Sequence, residues 1–482
     1  MAWPRRFLSG VVAASALAAA TLAPAAPASA QSVIRDTEVE AIIREWSDPV
    51  LDAMGLEPDD VTILLINDPT LNAFATRGQI MGFHTGLILE TDNPGQLLGV
   101  IAHEAGHIKN RHTLRDGASD AGMQPFLVSM ALGALAIAAG APDAGAALLG
   151  SSGYFGTIGA LQYMQSQEGE ADLTGAQALD RAGLSAQGLV DFFEEFRAQE
   201  VFSDARRYPY FRSHPLSSRR IENLRRPVES LPNHDAAEPA HWAGQHALML
   251  AKISAFLNPP AQTFRTYRES DASLPARYAR AIAWYRQGET QRAVNAVDAL
   301  IAEDPENPYY WELKGQILFE AGSPAEAVPA HQRAVELMPE DAPLLRINLA
   351  HALIESNDET VLDRAITELR RATVDEPNNP MAWRLMSQAY ASLGMEGEAR
   401  LASAEFHYAV GQQRQATQFA LRARDMLDPG SVEWRRAVDI VLASGATPED
   451  LEDLDRRQRE RPLSLYEDVT ARRLTHAPAH QH

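Results

Sequence analysis

The chain contains no cysteine, which removes disulfides and thiolate metal sites together, so any metal must be held by histidine and carboxylate. Positive charge is scarce too. Lys and Arg number 43 against 64 Asp and Glu, the net charge is −21, and there is no strong basic block. This balance argues against nucleic acid or an anionic membrane surface as the main partner. Long apolar runs are also missing from the interior. Phe126 to Ala141 covers 16 residues before Pro142 and Asp143 interrupt it, short of the ~20 that span a bilayer, and Ala144 to Ala160 is broken by Ser151-Ser152-Gly153. A buried helical hairpin is expected over 126–160. The alternatives are a mobile plug or a peripheral contact with a membrane or partner.

What is present is an ordinary globular composition, 45% hydrophobic and 22% charged over 482 residues, enough for about three domains. Residues 1–30 read as a cleaved secretory signal: Arg5 and Arg6, an apolar run from Leu8 to Leu22, and the small-residue site Ala28-Ser29-Ala30. The expected location is therefore the periplasm of a bacterial envelope.

The central motif is His103-Glu104-Ala-Gly-His107. On a helix of 3.6 residues per turn the two histidines share a face and can hold one Zn²⁺, with Glu104 beside them as a base. Asn93 suits the N-cap, Pro94 the first turn and Gln96 a capping box. Upstream, helical spacing of Val39, Ile42, Ile43, Trp46, Val50 and Leu51 predicts a helix over 35–54, and Val61 to Ile66 a buried strand. Two strand-like pieces follow around Gly78. Of these, Ile80, Met81, Gly82 and Phe83 are the candidate edge strand for a substrate backbone, with a plain structural hairpin as the alternative. Downstream, a helix from about Gln162 to Ala182 with Gly183 as its stop carries Glu168 and Asp172 on one face. A zinc peptidase with two histidines needs a third protein ligand and an oriented outer partner, here Glu168 on the metal and Asp172 bonded to a ligating imidazole.

With Ser213-His214-Pro215-Leu-Ser-Ser-Arg219-Arg220-Ile221 and Asn72-Ala-Phe74-Ala added, four motifs in order over residues 60–225 resemble the integral-membrane and periplasmic zinc peptidases that include HtpX and the CAAX prenyl proteases. The resemblance implies an α+β zincin-like (gluzincin) fold, mostly helical with a small sheet, over 31–225. It implies His103, His107 and Glu168 as zinc ligands and Glu104 as catalytic acid and base. His214 is implied as a switch that can close onto the metal or a transition-state donor, and Arg220 as a second such donor. Soluble members carrying a C-terminal repeat domain resemble the whole mature chain, and they imply protein or peptide substrates among outer-membrane proteins and their assembly machinery.

Residues 226–274 read as a turn-rich linker with a connecting helix from about His246 to Leu257. Over 275–429 the chain repeats: Pro305, Pro339 and Pro377 end successive helix pairs, and Trp311, Gly315, Ala327 and Ala334 follow the tetratricopeptide pattern, echoed by Trp383, Tyr390 and Ala399. Stacked pairs make an all-α solenoid whose groove suits protein partners. Residues 430–482 are expected to be helical at first and then a tail. The competing reading is an assembly adaptor or chaperone with a vestigial metal site.

Overall fold

The computed structural model describes residues 32–114, 158–202, 210, 214, 216–338, 342–356, 358–447, 450 and 452. The leader read over 1–30, residues 126–157 of the expected hairpin and the tail beyond 452 lie outside the described residues.

The N-terminal unit is built on a four-stranded sheet in the order β1-β2-β4-β3, with strands at Ser32–Ile34, Thr62–Asn67, Ala73–Thr76 and Ile80–His84. Helix α1, Thr37–Met54, starts where the Asp36 side chain accepts from the Val39 N–H and stops at Gly55 with φ 69°. The apolar stripe expected of it, from Val39 to Leu51, is buried in the main core. β2 and β4 run parallel, while β1 with β2 and β3 with β4 run antiparallel.

That order corrects the sequence reading of Ile80, Met81, Gly82 and Phe83. They form an inner strand, bonded to β2 on one side and to β3 on the other, so they offer no free edge. The tight turn at Gly78 folds β3 back onto one side of β4, and the apolar run of β2 takes the other. The edges are β1 and β3. Gly82 is there to admit the Phe74 ring, which would stand 2.3 Å from a Cβ at that position. The strand ends at His84, and Thr85–Leu89 is a short helix (α2).

Helices α3 (Pro94–Lys109), α4 (Ile158–Arg181), α5 (Gln187–Phe202) and α6 (Ser218–Glu229) complete this unit. The boundary expected at 225 falls inside α6, which continues through Pro227 with Val228 buried in the core. Within 226–274 the connecting helix expected from about His246 to Leu257 is present, and it packs into both halves. Helix α7, Trp242–Leu257, places Trp242, Met249 and Ile253 in the N-terminal core and Ala251 and Ala255 in the first core of the repeats. Its turn-forming residues marked the connection, but its apolar positions belong to two cores at once.

Among the described residues, after α8 (Pro260–Thr266) ten α-helices follow as antiparallel neighbours: α9 Leu274–Arg286, α10 Thr290–Glu303, α11 Pro308–Glu320, α12 Pro324–Leu337, α13 Pro343–Glu355, α14 Leu362–Asp375, α15 Pro380–Ser392, α16 Glu396–Ala409, α17 Gln413–Met426 and α18 Val432–Ala443. Proline opens four of them, where its missing N–H costs nothing. The repeat in sequence is a repeat in bonding. Trp311 donates to the Pro305 carbonyl at 2.9 Å, and Trp383 donates to that of Pro377 at 2.7 Å. Gly315 is required by contact, since a Cβ there would stand 2.6 Å from the buried His331 ring.

The two halves meet at a buried ionic joint. Lys252 Nζ on α7 lies 2.8 Å from Asp36 Oδ1 and 3.0 Å from Glu38 Oε2. Tyr278 donates to Glu38 at 2.8 Å, and Thr37 donates to Glu312 at 3.0 Å. No helix among the described residues is long and apolar enough to cross a membrane.

Candidate metal centre

The site begins with a well-capped helix. Asn93 accepts from the Gln96 N–H at 3.0 Å, and Gln96 reaches back to the Asp92 N–H at 2.7 Å, one residue ahead of the expected capping-box partner. α3 and α4 cross at small residues. A Cβ on Gly106 would meet the Ala171 carbonyl oxygen at 2.6 Å, and one on Gly175 would meet the Ala102 backbone at 2.9 Å. Two glycines therefore let the helices touch backbone to backbone. This close crossing carries Glu168 to the imidazoles.

Four donors converge. His103 Nε2 lies 3.1 Å from His107 Nε2, and Glu168 presents Oε2 to the first and Oε1 to the second at 3.4 Å. His214 Nδ1 sits 2.9 Å from Glu168 Oε2 and 3.1 Å from His103 Nε2. Each of the four residues is buried and offers one ligand atom within 4.8 Å of the others. This donor set fits a divalent cation. With His103 Nδ1 turned to Asp172 Oδ1 at 2.8 Å, the proton belongs on Nδ1 and Nε2 carries a lone pair. The two Nε2 atoms and the Glu168 carboxylate are close enough to be shared by one cation.

Asp172 and Arg220 brace this centre. The guanidinium donates from Nε to Asp172 Oδ2 at 2.7 Å and from Nη2 to Oδ1 at 2.8 Å, while Nη1 stands 2.9 Å from Glu168 Oε2. Burial alone would raise the Asp172 pKa, but the charge and hydrogen bonds of Arg220, with those of His103, hold it below the ordinary carboxylate value. All three guanidinium nitrogens face these carboxylates. Arg220, which the family resemblance implies as a transition-state donor, here holds Glu168 and Asp172.

Glu104 is completely buried, and among the described residues neither of its carboxylate oxygens has a hydrogen-bond partner. Burial raises its pKa above the ordinary value, against the opposing charges of His214 and His103. His214 Nε2 is 3.5 Å from Glu104 Oε1. Three neighbours escaped the sequence reading. Tyr210 stacks on His214 with centroids 4.6 Å apart, and Phe193 lies 4.7 Å below the Arg220 guanidinium. His112 reaches His107 Nδ1 at 3.0 Å. Only His112 left a signal, five residues beyond His107. Ile80 to Phe83 belong to the inner strand described above and play no part in the cluster.

Comparison with known proteins agrees with this geometry. Residues 34–228 match peptidase family M48, and residues 278–342 and 318–389 match tetratricopeptide repeats. The chain is similar to the beta-barrel assembly-enhancing protease of Yersinia pestis, 28% identical over 375 residues covering 77% of this chain and 76% of that protein. It is similar to the Escherichia coli protein of the same name, 27% identical over 389 residues with 77% and 76% covered. The Escherichia coli metalloprotease YcaL is 29% identical over 161 residues, 33% of this chain and 59% of that one.

Proposed function

We propose, for a chain whose residues 34–228 are a metallopeptidase domain of family M48 followed by tetratricopeptide repeats, that it is a zinc-dependent endopeptidase of the bacterial periplasm acting on proteins of β-barrel assembly. The observation that carries the reading is the convergence of four buried donors beside a buried carboxylate, Glu104, that has no hydrogen-bond partner among the described residues. The β-barrel substrate class rests on likeness to the beta-barrel assembly-enhancing proteases. The location rests on the leader-like pattern of residues 1–30.

His103, His107 and Glu168 would hold the metal. A zinc ion there would polarise the scissile carbonyl and acidify a water. Glu104 takes the proton of the attacking water and passes it to the leaving amine, a task suited to a carboxylate whose pKa burial has raised. Asp172 keeps the proton of His103 on Nδ1, and Arg220 fixes the Glu168 and Asp172 carboxylates. His214 is the one cluster member outside the two helices, and its ring nitrogen already occupies the donor cluster. We therefore read the present arrangement as the resting one, with withdrawal of His214 opening the site. The groove of the repeats would hold the protein substrate or its partners.

Glu104→Gln tests the assignment. Cleavage of an unfolded β-barrel protein should fall by about 10²–10⁴-fold, the worth of a general base, while zinc content stays that of the parent. Unchanged cleavage would transfer the protein to the adaptor class, its repeats doing the biological work.

A further inference from the structure

Resting on the metal-site reading, we propose that His112, backed by Glu170, is the positioning residue for His107, a second outer arm separate from the one that Asp172 and Arg220 provide for His103. The backbone is bent to make it. After α3 ends, Arg111 adopts φ 57°, a left-handed conformation disfavoured for a residue with a side chain, and the single turn His112–Leu114 follows. This kink returns His112 beneath the helix it has just left. Its ring stands edge-on to His107, with centroids 5.1 Å apart at 72°, and is itself buried.

The proton order follows from the chemistry of imidazole. For His107 to present a lone pair at Nε2 toward the cluster, its proton must sit on Nδ1. His112 Nδ1, 3.0 Å away, then accepts that N–H, which places the proton of His112 on Nε2, 3.2 Å from Glu170 Oε2. The chain reads His107 to His112 to Glu170, with one proton per link. It differs from the other arm in its exposure. Asp172 is buried, whereas the Glu170 side chain is 56% exposed, so the second arm reaches solvent. In this arrangement Glu170 stops being a bystander between the Glu168 and Asp172 positions of α4.

The test is metal binding by the whole mature chain. Zn²⁺ affinity is measured by competition with a chromophoric chelator, and the ligand field by the visible spectrum of Co²⁺. His112→Phe keeps the bulk and loses the acceptor, while His112→Asn keeps an oxygen near the Nδ1 position. The Phe variant should bind Zn²⁺ about 10–100-fold more weakly with an altered Co²⁺ spectrum, and Asn should recover most of the loss. Glu170→Gln should weaken binding by only a few-fold. Should the Phe side chain prevent folding, His112→Ala, which leaves a hole instead of a clash, carries the same comparison with Asn. Parent-like affinity and spectrum in the Phe or Ala variant overturn the proposal. A parent chain that takes up neither ion overturns the metal-site reading itself, and a parent that binds both ions while the variants match it overturns only the role of His112.

Discussion

Two buried clusters in this molecule are made of nearly the same groups yet are suited to different things. At the metal centre Arg220 holds Asp172 and Glu168; at the joint between the halves Lys252 holds Asp36 and Glu38. The difference lies in shape and in lone pairs. A guanidinium is a planar fork that grips Asp172 with two bonds and still reaches Glu168, so it orients what it neutralises. An ammonium is a point charge, and Lys252 neutralises without aiming anything. Around Arg220, imidazole lone pairs are turned toward a common point. Around Lys252, the carboxylates accept from the ammonium itself, from the Tyr278 phenol and from the Thr37 hydroxyl. Buried charge alone therefore does not mark a site; unspent lone pairs directed at a single point do.

Removing each cation probes that contrast most strongly. Arg220→Ala leaves Asp172 and Glu168 buried without their counter-charge, and urea unfolding of the N-terminal unit should register a loss of about 3–5 kcal/mol together with weakened Zn²⁺ uptake. Lys252→Met should cost less, about 2 kcal/mol, because Asp36 keeps some access to water. Its signature is spatial: hydrogen exchange should rise at residues 32–40 and along Leu274–Arg286 while Zn²⁺ affinity stays that of the parent. Loss of metal affinity in this second variant would erase the distinction between the clusters.

The smallest effect is a pH slope at the joint. Glu312 accepts from Thr37 and Asn348, and burial pushes its carboxyl up to about 7 against the pull of Lys252. The folded chain thus holds this proton more tightly than the unfolded one, whose carboxyl titrates near 4.5. Its contribution is complete below the unfolded value and drains away as pH rises through about 7. The joint should weaken between these limits, and Glu312→Gln should flatten the slope. Thermal unfolding at intervals across that range decides it.

Much of the fold was legible wherever the signal was a short period. Val39 to Leu51 declared a helix, Trp311 and Trp383 declared repeat units, and each reading depends on neighbours a few residues apart. The joint was not legible, because Trp242 and Ala255 lie on one helix and serve two different cores. Strand order escaped for a related reason: β2, β3 and β4 each look like a strand in isolation, and nothing within Ile80 to Phe83 says that both flanks will be paired.

The sequence by itself determined the local geometry of the chemistry. Spacings of four along two helices place His103 above His107 and Glu168 above Asp172, because the pitch of an α-helix admits no other outcome. Only the tertiary structure decided that Glu168 meets those imidazoles, through glycines at the helix crossing, that Arg220 grips carboxylates, and that a left-handed Arg111 folds His112 back under His107. Helical periodicity is a property of adjacent residues, whereas these contacts depend on which surfaces remain for packing once every element has formed.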